Sequence, residues 1–181
     1  MKTTPQFHVL AGPNGSGKST YANAWQRNFV IHNPDDIAKS IAEYDGNALI
    51  EAGRIIHQRI ENEVSALNSF GVETTLSGHQ VLRTMRKCKA LGYRVYLHFV
   101  YVEKLTVSRA RVVQRVKMGG HGVPEEDQIR RFDRSFENLP GAIALSDVAM
   151  IFNNSAQSHQ LVAIYNNGAP VLKTIKDHWL P

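Results

Sequence analysis

The chain has 181 residues, 43% apolar and 20% charged, and a formal net charge of +5 from 21 Lys and Arg against 16 Asp and Glu. That length and balance describe one globular unit with a sizeable core, which excludes disordered and fibrous classes. No apolar run approaches the roughly 20 residues of a membrane-spanning helix, and the single cysteine, Cys88, excludes an internal disulfide. The opening MKTTPQFHVL carries no signal-peptide pattern, so the expected setting is a reducing cytoplasm.

In chain order, QFHVL (6–10) reads as a short strand entering a glycine-rich turn, followed by a helix over about 18–27 and a strand FVIH at 29–32. Helices are predicted over 36–43 and 48–69, the second with Ile56, Ile60, Val64 and Leu67 near helical spacing. VETTL (72–76) is a strand, 80–91 a helix closed by Gly92, and YRVYLHFVYV (93–102) a strand apolar enough to be central. A helix over 104–118, a GGHGVP break and a helix over about 124–137 follow. VAMIF (148–152) and LVAIY (161–165) are further strands, with polar NNSAQSH as the turn between them. Strands separated by helices predict an α/β fold with a mostly parallel sheet covered on both faces, in a single domain over 1–181.

GPNGSGKS, Gly12 to Ser19, fits G-x-x-x-x-G-K-[ST] at every fixed position, with strand before and helix after. Gly12, Gly15 and Gly17 permit backbone angles and close approaches that a Cβ would block. The turn through Pro13, Asn14 and Ser16 then points N–H groups inward, and the helix opening at Lys18, Ser19 and Thr20 adds its positive end. Lys18 is expected to reach the β- and γ-phosphates of ATP, and Ser19 to ligate Mg²⁺.

Ligands of open α/β sheets sit beyond the carboxyl ends of the strands. Asp35 and Asp36 lie just beyond the strand FVIH, and Glu73, Thr74, Thr75 and Ser77 on the next candidate strand. Asp35 is the candidate base for an acceptor hydroxyl; it can equally cap the helix after it, and Asp36 can share or exchange those roles. Glu73 in an apolar-flanked strand needs a partner, either an arginine or a substrate group. Thr75 and Ser77, with Asp35 and Glu73, are candidate substrate-binding residues.

Residues 109–140 read as helix, glycine hinge and helix, with a lid region at about 115–140. Arg115, Arg130 and Arg131 are candidates for closing over the phosphates and steadying transition-state charge. The alternative is a solvated basic face, and which arginine points inward is left open by the sequence.

Taken together, AGPNGSGKST, NPDDIA, ETTLSG, RVVQRVKMGGHGVP and IRRFDRSFENL, spread over residues 7–154, resemble the zeta-toxin-like P-loop kinases, specifically a compact bacterial branch often labelled an ABC-type ATPase. The resemblance implies a three-layer P-loop kinase fold with a helical arginine-rich lid. It matches Asp35 to the family's catalytic base and Glu73 to its substrate-binding acid. Arg115 and the Arg130–Arg131 pair fall in the region of the family's phosphate-contacting arginines. It implies phosphoryl transfer from ATP to a hydroxyl of a UDP-N-acetylamino sugar, restrained by an antitoxin protein.

Two other readings differ in class. A polynucleotide end-healing kinase fits the basic balance, but no basic stretch interleaves with aromatics for base stacking. An ABC-like motor or switch fits LSGHQ at 76–80. That reading expects the signature far downstream of the phosphate loop, and only some 57 residues separate Ser19 from Leu76.

Overall fold

The computed structural model describes residues 3–23, 29–34, 36–37, 48–120, 122–156, 158–175 and 180. Seven strands form one sheet: β1 (Gln6–Ala11), β2 (Val30–His32), β3 (Phe70–Thr74), β4 (Arg94–Tyr101), β5 (Val148–Asn153), β6 (Gln160–Asn166) and β7 (Ala169–Lys173). Their spatial order is β2-β3-β1-β4-β5-β6-β7. The first five run parallel, and β6 and β7 continue the sheet antiparallel. The helices are α1 (Lys18–Ala22), α2 (Ala48–Ala66), α3 (Gln80–Ala90), α4 (Leu105–Lys117), α5 (Glu125–Glu137) and α6 (Leu139–Leu145). This is the expected α/β fold with a mostly parallel sheet, and β4 is central as its apolar run requires.

Alternation along the strands sorts the two faces. Phe7, Val9 and Ala11 of β1 join Val95, Leu97 and Phe99 of β4 in the main core. Ala52, Ile56, Ile60 and Val64 of α2 and Val81, Leu82 and Met85 of α3 cover that face. Each fully buried Leu or Phe there contributes about 1.5–3 kcal/mol. The other face carries His8, Tyr96 and His98, with Phe29 stacked on His8 and Tyr21 of α1 against His98.

Three local expectations differ from the structure. The strand expected at 72–76 occupies 70–74, because Leu76 turns to φ 59° with its side chain fully buried. Side chains of α5 and its C-cap brace that turn: Ser135 Oγ donates to Thr75 O, and Asn138 Nδ2 to Leu76 O at 2.8 Å. Helix α6 is not among the expected elements; its Pro140 stands in the first turn, where proline is tolerated. Strand β7 is exposed at all five residues and so lacks the alternation that announces a strand. Asp35, residues 24–27 of the first expected helix and most of the helix expected over 36–43 lie outside the described residues.

Candidate nucleotide and phosphoryl-transfer site

The phosphate loop joins β1 to α1 at the carboxyl edge of the sheet. Gly12 takes φ 140°, and a Cβ there would meet Val100 O of neighbouring β4 at 1.8 Å. Gly15 and Gly17 also take positive φ, 69° and 95°. Lys18 is buried, and its Nζ donates to Pro13 O at 2.9 Å. Ser16 is fully buried within the loop, while Asn14, Gly15, Gly17, Lys18, Ser19 and Thr20 line a cavity of about 550 Å³.

The cavity's second wall comes from the tips of β2 and β3: Asn33 and Pro34 from one, Glu73, Thr74 and Thr75 from the other. Adjacency of β3 to β1, with Glu73 opposite Leu10 in register, puts that acid beside the loop. Ser19 Oγ donates to Glu73 Oε1 at 2.8 Å, and Asn33 Nδ2 donates to Oε2 at 3.4 Å. Ser77 is off the wall; its Oγ lies 2.8 Å from Oγ1 of Thr75, which is on it. Asp36 is exposed at the start of the segment after β2.

The third wall is basic. Arg111 and Arg115 of α4 and Arg131 of α5 line the cavity together with Gln114. Gly119 takes φ 85° where α4 ends, and Gly120 leaves room for Arg115, whose Cγ would lie 2.6 Å from an added Cβ. Arg130 instead pairs with Asp127 at 2.5 Å on the surface, its side chain 54% exposed. Arg131 also reaches Asp127, at 3.5 Å, from its inward position. The Arg109–Glu125 ion pair ties α4 to α5.

Sequence reasoning passed over Asn33, Arg111, Gln114 and Asn154, all on the cavity wall. Asn33 and Asn154 lie just past the carboxyl ends of β2 and β5, so the strand-end rule was the available signal for both.

The residues present suit a magnesium nucleotide. Ser19 Oγ gives its hydrogen to Glu73 and keeps its lone pairs for a cation. The space under Gly12 closes as soon as a Cβ is added, as a close-fitting backbone cradle requires.

A parallel sheet with a phosphate loop at the tip of β1, an acid at the tip of the neighbouring strand and arginines across the cavity has the architecture of the P-loop kinases. The chain belongs to the Zeta toxin family, whose model matches residues 1–168. Family and fold place it among the ATP-dependent kinases. It is 33% identical over 121 residues to an uncharacterized protein of Haemophilus influenzae, covering 64% of this chain and 84% of the relative.

Among solved structures it is similar to a chain of the AvrRxo1-ORF1:-ORF2 complex with ATP, at TM-score 0.73 and 18% identity. That match covers 94% of this chain and 61% of the other, so the chain spans under two thirds of that relative. A chain of the PezAT chromosomal toxin-antitoxin system of Streptococcus pneumoniae matches at TM-score 0.64 and 21% identity, covering 88% and 71%. One of the Pnkp1/Rnl/Hen1 RNA repair complex matches at TM-score 0.61 and 16% identity, covering 77% and 46%. Among the described residues, no helix is long and apolar enough to cross a membrane.

Proposed function

We propose that this chain transfers the γ-phosphate of ATP to a hydroxyl of a small metabolite, a UDP-N-acetylamino sugar being the leading acceptor. The observation that carries the reading is the contact of Glu73 with Ser19 inside the cavity that also holds Lys18, Arg115 and Arg131. Phosphoryl transfer needs in-line positioning and charge neutralisation more than covalent chemistry, and that cavity supplies both on opposing walls.

In this reading the acceptor oxygen attacks the γ-phosphorus, its proton passes to Asp35, and the bond to the β,γ-bridging oxygen breaks to release ADP. Asn33 and Pro34, which precede Asp35 in the sequence, line the cavity. Loop N–H groups and Lys18 hold the phosphates, while Thr75 and Glu73 face the acceptor side. Arg115 and Arg131 steady the charge on the equatorial oxygens, and α4, the Gly119–Gly120 turn and α5 act as the lid of a single kinase domain. Arg130, paired outside the cavity, has no part in it. Ser19, steadied by Glu73, would hold Mg²⁺, which would supply charge neutralisation of the phosphates. The toxin-antitoxin system named for one structural neighbour motivates an antitoxin as protein partner.

The test is incubation with γ-labelled ATP and a panel of nucleotide sugars, with a 5′-hydroxyl oligonucleotide as a further arm. A labelled nucleotide sugar is expected. Label on the oligonucleotide alone supports the end-healing kinase instead. Asp35→Asn is expected to retain ATP binding and lose transfer by about 10²–10⁴-fold; normal turnover would reduce Asp35 to a helix cap.

A further inference from the structure

Four backbone carbonyls of the phosphate loop are each held by a side chain. Lys18 Nζ takes Pro13 O at 2.9 Å, and Ser108 Oγ of α4 takes Asn14 O at 2.5 Å. Asn154 Nδ2 takes Ser16 O at 2.8 Å, and His159 Nε2 takes Gly17 O at 3.2 Å. Lys18 belongs to the glycine-rich motif itself. The other three arrive from distant parts of the chain, two of them from the connection between β5 and β6.

We propose that Ser108, Asn154 and His159 are positioning residues that aim the loop's amides at the phosphates. The inference rests on the reading of the cavity as a nucleotide site. Each peptide unit of the loop is planar and trans, so its C=O and N–H point in opposite directions. Fixing the carbonyls of Asn14, Ser16 and Gly17 therefore fixes the N–H groups of Gly15, Gly17 and Lys18, each opposite to the carbonyl of its own peptide unit. Ser108 and His159 stand off the cavity wall, whereas Asn154 shares it with Gly15, Gly17 and Lys18.

The donors are well defined chemically. A carbonyl only accepts, so His159 carries its hydrogen on Nε2 and Asn154 turns its NH₂ to the loop. Both come from a braced connection. Asn154 N donates to Tyr101 O at 2.8 Å, Ser155 Oγ accepts from Glu103 N at 2.9 Å, and Arg111 Nη2 donates to Ala156 O at 3.2 Å. The His159 ring also packs against Tyr21 of α1, centroids 5.6 Å apart.

This arrangement gives the last glycine of the motif a second reason to be glycine. A Cβ on Gly17 would lie 2.3 Å from Asn154 Nδ2 and 3.3 Å from His159 Nε2. Its positive φ and the space for the two donors impose the same requirement. Preorganised amides bind an anion without the ordering that a mobile loop would first undergo.

Calorimetric affinities of the full chain for ADP and for inorganic tripolyphosphate test the proposal. His159→Ala and Asn154→Ala are expected to weaken both ligands by about tenfold, the scale of one lost neutral hydrogen bond. The tripolyphosphate arm ties the loss to the phosphates and not to the nucleoside. His159→Gln, whose amide can still donate to Gly17 O, is expected to return to within about threefold of wild type. Asn154→Asp keeps the size and sets a carboxylate against a carbonyl, so it should bind more weakly than wild type even where the alanine variant fails to fold. A purely structural role would lower the melting temperature and leave both affinities of the folded protein unchanged, and that result overturns the proposal. A wild-type chain that binds neither ligand sinks the kinase reading first, and this inference with it.

Discussion

Ser19 Oγ donates a 2.8 Å hydrogen bond to Glu73 Oε1, joining the phosphate loop to the tip of the adjacent strand. Asn33 from the next strand out approaches the other carboxylate oxygen. An acid so placed orients a cation ligand at least as readily as it grips an acceptor. We expect Glu73→Gln to raise the Mg²⁺ concentration for half-maximal transfer by about 10–100-fold, the usual cost of removing a group that orients a metal ligand. Nucleotide affinity without Mg²⁺ should stay close to wild type. An unchanged Mg²⁺ titration would return Glu73 to the acceptor alone.

Arg130 and Arg131 are sequence neighbours with opposite surroundings. Arg131 lines the cavity, whereas Arg130 pairs with Asp127 in solvent. Exposed pairs of that kind contribute about 0–1 kcal/mol. Arg131→Ala is therefore expected to lower turnover steeply, up to the 10³-fold or so at the low end for a transition-state arginine. Arg130→Ala should stay within about threefold of wild type, consistent with so small an energy. Equal losses in the two variants would mean that α5 rotates before the chemistry.

The phosphate loop, the alternation of strands and helices along the chain and the place of Glu73 near a strand tip were legible in the sequence because each depends on local pattern. A glycine spacing between strand and helix carries its own geometry, and an acid at a strand tip lies at the ligand edge by topology alone. Choosing between Arg130 and Arg131 was not possible, since 100° per residue gives their relative angle and not the helix's rotation against the core. Phe136, packed on Phe99 and Tyr101, sets that rotation, and those contacts span more than thirty residues. His159 left no local signal at all: its partner, Gly17 O, is brought to it by the antiparallel return of β6.

Gly78, set against Gly12 as a control for nucleotide binding, tests the motor reading. A Cβ on Gly12 would meet Val100 O at 1.8 Å, and its φ of 140° is strained for any side chain. A Cβ on Gly78, within the LSGHQ stretch, meets nothing within 4 Å. Gly12→Ala is expected to abolish measurable nucleotide binding, and Gly78→Ala to shift stability by no more than about 0.5 kcal/mol, as surface changes do. ATP hydrolysis or ATP-dependent dimerisation lost in Gly78→Ala would revive a signature role for that stretch.

The face of the sheet beneath α1 carries a directional chain of hydrogen bonds. Gln6 Oε1 accepts from His8 Nε2 at 3.1 Å, which leaves His8 Nδ1 to accept from His98 Nε2 at 3.2 Å. His98 Nδ1 then accepts from the Tyr21 hydroxyl at 3.2 Å. Burial lowers the pKa of His8 to about 4, and burial followed by the neighbouring His8 lowers that of His98 to about 3. A proton on either ring would also put a donor where the chain needs an acceptor. Unfolded histidine binds its proton near 6.5, so between that value and about 4 the unfolded chain holds more protons than the folded one. Stability is then fully present above about 6.5 and falls with pH through that window, the His98 share continuing towards 3. His32, also lowered by burial, adds in the same direction. Urea midpoints measured from pH 7.5 down to 5 should decline before carboxylates begin to titrate, and His8→Gln should flatten the decline. A wild-type midpoint that is level across that interval would mean that His8 and His98 take up protons in the folded chain without disturbing α1.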